Sequence, residues 1–125
     1  MYVAFIWAID QNSIRRGKSV MDIQLKKGIM EICILAILFG KDTYECELSA
    51  TLQKEFKTSE IIIFSLLKKL QKEGFIKSSV KKTPNRAALK FYSINSEGKD
   101  QFENLKYEWY ELNQTAKQFI NKYIG

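Results

Sequence analysis

The residues of this chain whose chemistry stands out are cationic: Lys68, Lys69 and Lys72, then Lys77, Lys81, Lys82, Arg86 and Lys90, with the amide of Asn85 among them. Ammonium and guanidinium groups in such a series neutralise phosphate oxygens and release the counterions held there, so the chemistry on offer is capture of a polyanion. The formal net charge of +6 and a pI near 9.3 agree with that. Basicity alone does not choose between nucleic acid and an anionic membrane face, and a run of charge is also what an ordinary solvated face carries. Histidine is absent from the chain, which removes the commonest general base and the commonest metal ligand together. No nucleophile, base and orienting group can be assembled from what remains, so no enzyme, no metal site and no cofactor is expected. Cys33 and Cys46 fall in apolar stretches that read as helical, without a CxxC or Cys/His cluster; both are expected to be reduced, buried thiols.

What positions the cations is a set of elements legible from periodicity. Residues 25–39, LKKGIMEICILAILF, are apolar nearly all round and should form a buried helix with Gly40 as its C-cap. With Asp42 or Thr43 as N-cap, a second helix is expected from about Tyr44 to Phe56, where Tyr44, Leu48 and Leu52 recur at helical spacing. After the short link Lys57-Thr58, a third helix capped by Ser59 should run to Glu73 and stop at Gly74. Its core face is Ile63, Leu66, Leu67 and Leu70; Ser65, Lys68, Lys69 and Lys72 point away. Residues 75–80 and 89–94 read as two strands around the polar KKTPNRAA, a hairpin with Lys81, Lys82, Asn85 and Arg86 at its tip. Ser96 then caps a long helix reaching about Lys122, with Glu97 in its first turn.

Helix, helix, helix, hairpin, helix predicts a mainly α fold with a small β-hairpin (α+β): a winged helix-turn-helix plus a long C-terminal dimerisation helix. In that unit the third helix presents its outer face to the major groove of double-stranded DNA, while the wing follows the phosphate backbone. The expected DNA-binding residues are Ser59, Ile62, Phe64, Ser65, Lys68, Lys69, Lys81, Lys82, Asn85, Arg86 and Lys90. On the last helix Phe102, Leu105, Trp109, Leu112, Ala116, Phe119 and Tyr123 alternate steps of three and four, the seam of a coiled coil. Such a helix reaches roughly 42 Å and overhangs a domain this small. The expected partner is a second copy, placing two reading helices on successive turns of a pseudo-palindromic site. Residues 21–95 are therefore expected to be a winged helix-turn-helix DNA-binding domain and 96–125 a dimerisation helix.

From Met21 to about Tyr123 the chain resembles the PadR family of bacterial regulators, in its short branch with a single C-terminal helix. The matching segments are LKKGIMEICILAIL, DTYECEL, SEIIIFSLLKKLQKEGFI and KFYSINSEGKDQFENL. The resemblance implies a dimeric DNA-binding regulator, usually a repressor, that leaves its operator when a small molecule or stress signal arrives. Where the family tends to have Tyr-Gly-Tyr-Glu-Leu, this chain has Tyr44-Glu45-Cys46-Glu47-Leu48; where it has Gly-Thr-(Ile/Leu)-Tyr-Pro, this chain has Ile61-Ile62-Ile63-Phe64-Ser65. Hydroxyls that contact the DNA backbone in relatives thus become Ile62 and Phe64. Two readings follow: apolar contacts to thymine methyls, or a surface that has drifted toward protein partners. The family's frequent Pro-Pro-Arg-Lys-Tyr-Tyr is reduced to Arg86, Lys90, Phe91 and Tyr92. Trp109 matches the tryptophan with which multidrug-sensing relatives line a flat pocket at the dimer interface. It is either a seam residue or a binding surface for a planar apolar or cationic small-molecule effector.

The opening MYVAFIWAI is an apolar run too short to span a bilayer and without the basic flank of an export signal. Residues 13–18 can be encoded by purine-rich codons resembling a ribosome-binding site just before Met21. Met21 is therefore expected to be a start and residues 1–20 an extension. Anchoring through that run, backed by Arg15, Arg16 and Lys18, would be marginal; no membrane partner and a cytoplasmic location are expected. The reading from a different class is a winged-helix protein-interaction module that has lost sequence-specific DNA binding.

Overall fold

The computed structural model describes residues 20–84 and 86–124, with side chains from Gln24 onward except that of Arg86. Nearly all of the expected extension, and Asn85, lie outside the described residues. Helix α1 spans Val20–Gly40, α2 Glu45–Phe56, α3 Glu60–Lys72 and α4 Ser96–Tyr123. Strand β1 is Thr43–Tyr44, β2 Ile76–Thr83 and β3 Arg86–Ile94, forming one antiparallel sheet in the order β1-β3-β2. The winged helix-turn-helix with its trailing helix is thus the observed architecture.

The core forms where three helical stripes converge. Met30, Ile34, Leu35 and Leu38 of α1 are fully buried against Leu48 and Leu52 of α2 and against Ile63, Leu66, Leu67 and Leu70 of α3. Ile76 and Tyr92 close it from the sheet. Full burial of each such aliphatic side chain stabilises by about 1.5–3 kcal/mol before entropy is counted, so this cluster dominates the fold. Ser59 caps α3 as expected, its Oγ accepting from the Ile62 amide at 3.4 Å. Gly74, at φ 84, makes the left-handed turn that ends the helix.

Several boundaries depart from the sequence expectation, each for a local reason. Gly40 is the last residue of α1 rather than a left-handed cap. The N-cap of α2 is Tyr44, without a side-chain bond, in place of Asp42 or Thr43. Thr43 is instead drawn into β1 opposite Tyr92, and its Oγ donates to the Lys41 carbonyl at 3.0 Å. The cap of α4 is Asn95, not Ser96: Asn95 Oδ1 accepts from the Gly98 amide at 2.9 Å while its Nδ2 donates to the Gly74 carbonyl at 2.7 Å. One amide thus holds the turn after α3 and the start of α4 together. The hairpin also extends further than its apolar residues suggest, pairing Thr83 with Arg86 after an irregularity between Lys81 and Thr83. Its outer half buries neither face, so the alternation that betrays a strand is missing there. Cys33 is half-buried, and burial pushes its thiol pKa up, but Cys46 is exposed on α2; both are free thiols.

Helix α4 leaves the head along one short contact. Gly98 is buried against Phe75 and Ile94 so closely that an added methyl would fall inside the Phe75 carbonyl oxygen. Phe102 meets Phe39 of α1 with ring centroids 5.3 Å apart, and Leu105 packs on the core edge.

Candidate nucleic-acid interface

The stripe that buries Ile63, Leu66, Leu67 and Leu70 dictates what α3 shows on its opposite side: Ile61, Ser65, Lys68 and Lys72, all exposed. Phe64 sits on one flank of that face, 38% exposed. On the other flank Ile62 is half-buried and packs against the core, so the expected apolar pair Ile62 and Phe64 is in fact Ile61 and Phe64. The position of Ile61 opposite the core stripe was available from helical spacing; the hydroxyl swap drew attention to its neighbour instead.

Several expected contacts already have work within the chain. Ser59 Oγ is the cap, and Ser65 Oγ donates to the Ile62 carbonyl at 2.7 Å. Lys69 is drawn toward α1, where its Nζ donates to both Glu31 oxygens at 3.0 and 3.1 Å; Glu73 lies 3.6 Å away. The hydrogen bond to Glu31 is the main cause that raises the Lys69 pKa. Lys90 sits 3.9 Å from Glu45 and 5.4 Å over the Tyr92 ring. Lys69–Glu73 is an i,i+4 pair that helical spacing offers, but Glu31 and Glu45 are far from their lysines in sequence, so no spacing rule could have found those two pairs. Lys68, Lys72, Lys77, Lys81 and Lys82 remain exposed on α3 and β2. Arg86 begins β3, and its side chain, like Asn85, lies outside the described residues.

The root of the hairpin is held firmly. Tyr92 is buried and its phenol donates to Glu45 Oε2 at 3.0 Å, fixing β3 to the first turn of α2. Burial, then the hydrogen bond to Glu45, pushes the phenol pKa well above its ordinary value. Gln71 Nε2 donates to Ser78 Oγ at 3.2 Å, linking α3 to β2. These contacts fix how the wing stands relative to α3, which matters for any surface made from both.

Charge is partitioned sharply along the chain. Between Ser59 and Ile94 there are eight cationic side chains against two carboxylates, Glu60 and Glu73, a balance of +6 that equals the net charge of the whole chain. Helix α4 carries five carboxylates and four lysines, a balance of −1. On α4 the seven seam residues do not share one environment: Phe102 and Leu105 are half-buried on the head, whereas Trp109, Leu112, Ala116, Phe119 and Tyr123 are exposed. Among the described residues there is no cluster of three His, Cys, Asp or Glu side chains able to hold a metal, and no helix long and apolar enough to cross a membrane.

No curated protein matches the chain at a significant level. Solved structures do. A PadR-like transcriptional regulator from Bacillus cereus is 34% identical, superposes with a TM-score of 0.70, and the match covers 78% of this chain and 96% of that one. A Streptococcus transcriptional regulator is 31% identical at a TM-score of 0.69, covering 77% and 96%. A PadR family transcription regulator from Clostridium difficile is 28% identical at 0.62, covering 77% and 98%. The model of the transcriptional regulator PadR-like family matches residues 34–104, from the core of α1 through the wing to the root of α4. The chain therefore belongs to the PadR-like family of transcriptional regulators, a family of DNA-binding regulators rather than of enzymes.

Proposed function

We propose that this protein acts as a homodimer in which residues 21–95 bind duplex DNA and residues 96–125 join the two copies. The observation that carries the reading is the partition of charge and apolar surface: the segment of α3 and the hairpin carries a balance of +6 while the rest of the chain is neutral in sum, and the exposed aromatic stripe lies on the outer half of α4. Phosphates meet Lys68, Lys81, Lys82 and Arg86, while α3 enters the major groove. Lys69 and Lys90, held by Glu31 and Glu45, orient the reading helix and the wing more than they touch phosphate. A two-fold pair along α4 sets both heads on one duplex.

Repression, relieved by a small molecule or stress signal, is the regulatory mode that membership of the family supports. Trp109, 47% exposed beside Tyr110, offers an aromatic face to a planar apolar or cationic effector at the dimer seam. Saturable quenching of tryptophan fluorescence by a planar cationic dye, lost in Trp109→Phe, would support that pocket; no saturable change with any such dye removes it.

Retention on mixed genomic DNA across a salt series tests the core of the proposal. Binding is expected to fall steeply with salt, and Lys81→Ala with Arg86→Ala to lower the slope of log K against log salt by about two. The exposed Ile61 favours the second reading, a protein-interaction module. That reading predicts no retention even in dilute buffer, or retention indifferent to the double substitution.

A further inference from the structure

The outward face of α3 changes character along its length. Its first turn and a half shows carbon: Ile61 is 79% exposed and Phe64 borders it. The hydroxyls at this end are engaged by the helix itself, Ser59 as the cap and Ser65 with the Ile62 carbonyl. The next two turns of the same face are cationic, with Lys68 and Lys72 exposed. Phe64 and Gln71, two turns apart, share a flank, and Gln71 reaches Ser78 of β2, so that flank leads to the strand carrying Lys77, Lys81 and Lys82. Glu60 opens the helix, where a carboxylate suits the dipole; exposed and one turn before Phe64, it borders the apolar patch on that flank.

An apolar tip with cations behind and beside it fits one environment well. The major groove has anionic walls and a floor of base edges, and the apolar feature on that floor is the C5 methyl of thymine. In helix-turn-helix proteins the N-terminal residues of the second helix of the motif are those that reach base edges. A protein patch would have to place acidic groups against Lys68 and Lys72 around a small apolar spot; duplex DNA brings that charge pattern with every phosphate. We propose that Ile61 and Phe64 select thymine through its C5 methyl while Lys68 and Lys72 hold the adjoining phosphates. Specificity in this chain thus comes from apolar contact at the start of α3. This rests on the DNA-binding reading above and deepens it by naming the base.

The test uses a duplex selected by the full chain from a random-sequence library and resynthesised with uracil for thymine, one position at a time. Uracil pairs as thymine does and lacks only the methyl. Each contacted position is expected to weaken binding roughly fourfold at fixed salt, the effect of one buried carbon. Ile61→Ala and Phe64→Ala should bind the thymine and uracil duplexes alike, with the salt slope of the parent retained. Both positions are on the surface of α3, so the variants keep the core intact. Equal binding of thymine and uracil at every position by the parent chain overturns the proposal and leaves the phosphate-based reading standing. Failure to retain any duplex in dilute buffer overturns both.

Discussion

In the head, Leu48, Leu52, Ile63, Leu67 and Leu70 are buried against α1, whereas among the described residues of α4 only Gly98 is buried and Trp109, Leu112, Phe119 and Tyr123 stand open. Both regions have apolar residues at helical spacing; they differ in what that spacing meets. The head closes on itself because three stripes face one another. Helix α4 outruns the surface that Gly98, Phe102 and Leu105 occupy, so the continuation of its stripe has no counterpart among the described residues. Periodicity therefore reports that a face wants covering, and only length and docking decide whether the cover is internal.

The largest effect expected from this contrast is at Trp109. Trp109→Ala should weaken the dimer by about 3–5 kcal/mol through a lost aromatic side chain at the seam, while the unfolding of the isolated head stays unchanged. Sedimentation across a dilution series reads the first and thermal unfolding of dilute protein the second; for the parent chain the melting temperature should rise with concentration. Unchanged dimer mass in the variant would break the contrast, since the open stripe would then not be an interface.

Gly98 probes the junction between the two regions. An alanine methyl there collides with the Phe75 backbone and the Ile94 side chain, so either α4 shifts or the turn after α3 opens. Gly98→Ala should cost about 1–3 kcal/mol of stability in urea denaturation, the range of overpacked sites. A cost near zero would mean that α4 docks loosely at its root.

How far the sequence foretold this molecule follows the same division. The four helices and the order of elements were readable because Ile63, Leu66, Leu67 and Leu70, like Leu48 and Leu52, carry period and burial together. Strand β1 was not, because two residues joined to β3 by backbone pairing leave no pattern in side chains. The outer hairpin was undercounted because Ser79, Val80, Lys81 and Lys82 are all exposed, so no alternation of buried and open side chains marks that stretch. At the candidate interface, the identity of the cations was plain. What distinguishes them was not: Lys69 is held by Glu31 and Lys90 by Glu45 through contacts that only the folded chain creates.

The smallest of these effects sharpens what holds the head in shape. Tyr92→Phe removes the hydrogen bond to Glu45 and should cost about 1 kcal/mol near neutral pH, read as a lower urea midpoint. The pKa of Tyr92 is raised on folding, chiefly by burial, so the folded chain keeps its phenolic proton longer than the unfolded chain does. Below the ordinary tyrosine pKa of 10.0 both states are protonated and the contribution is whole. As pH rises through that value the unfolded chain ionises first, and stability drains away. Lys69, also raised, loses stability in the same direction above 10.5, but its half-exposed side chain makes that share small, and it is common to both proteins. The gap between parent and Tyr92→Phe midpoints should therefore narrow between pH 9 and pH 11, because the parent alone has a buried phenol at position 92 to lose. A gap that stays constant across that range would show that the phenol ionises alike in the folded and unfolded chains, so that neither burial nor Glu45 holds its proton.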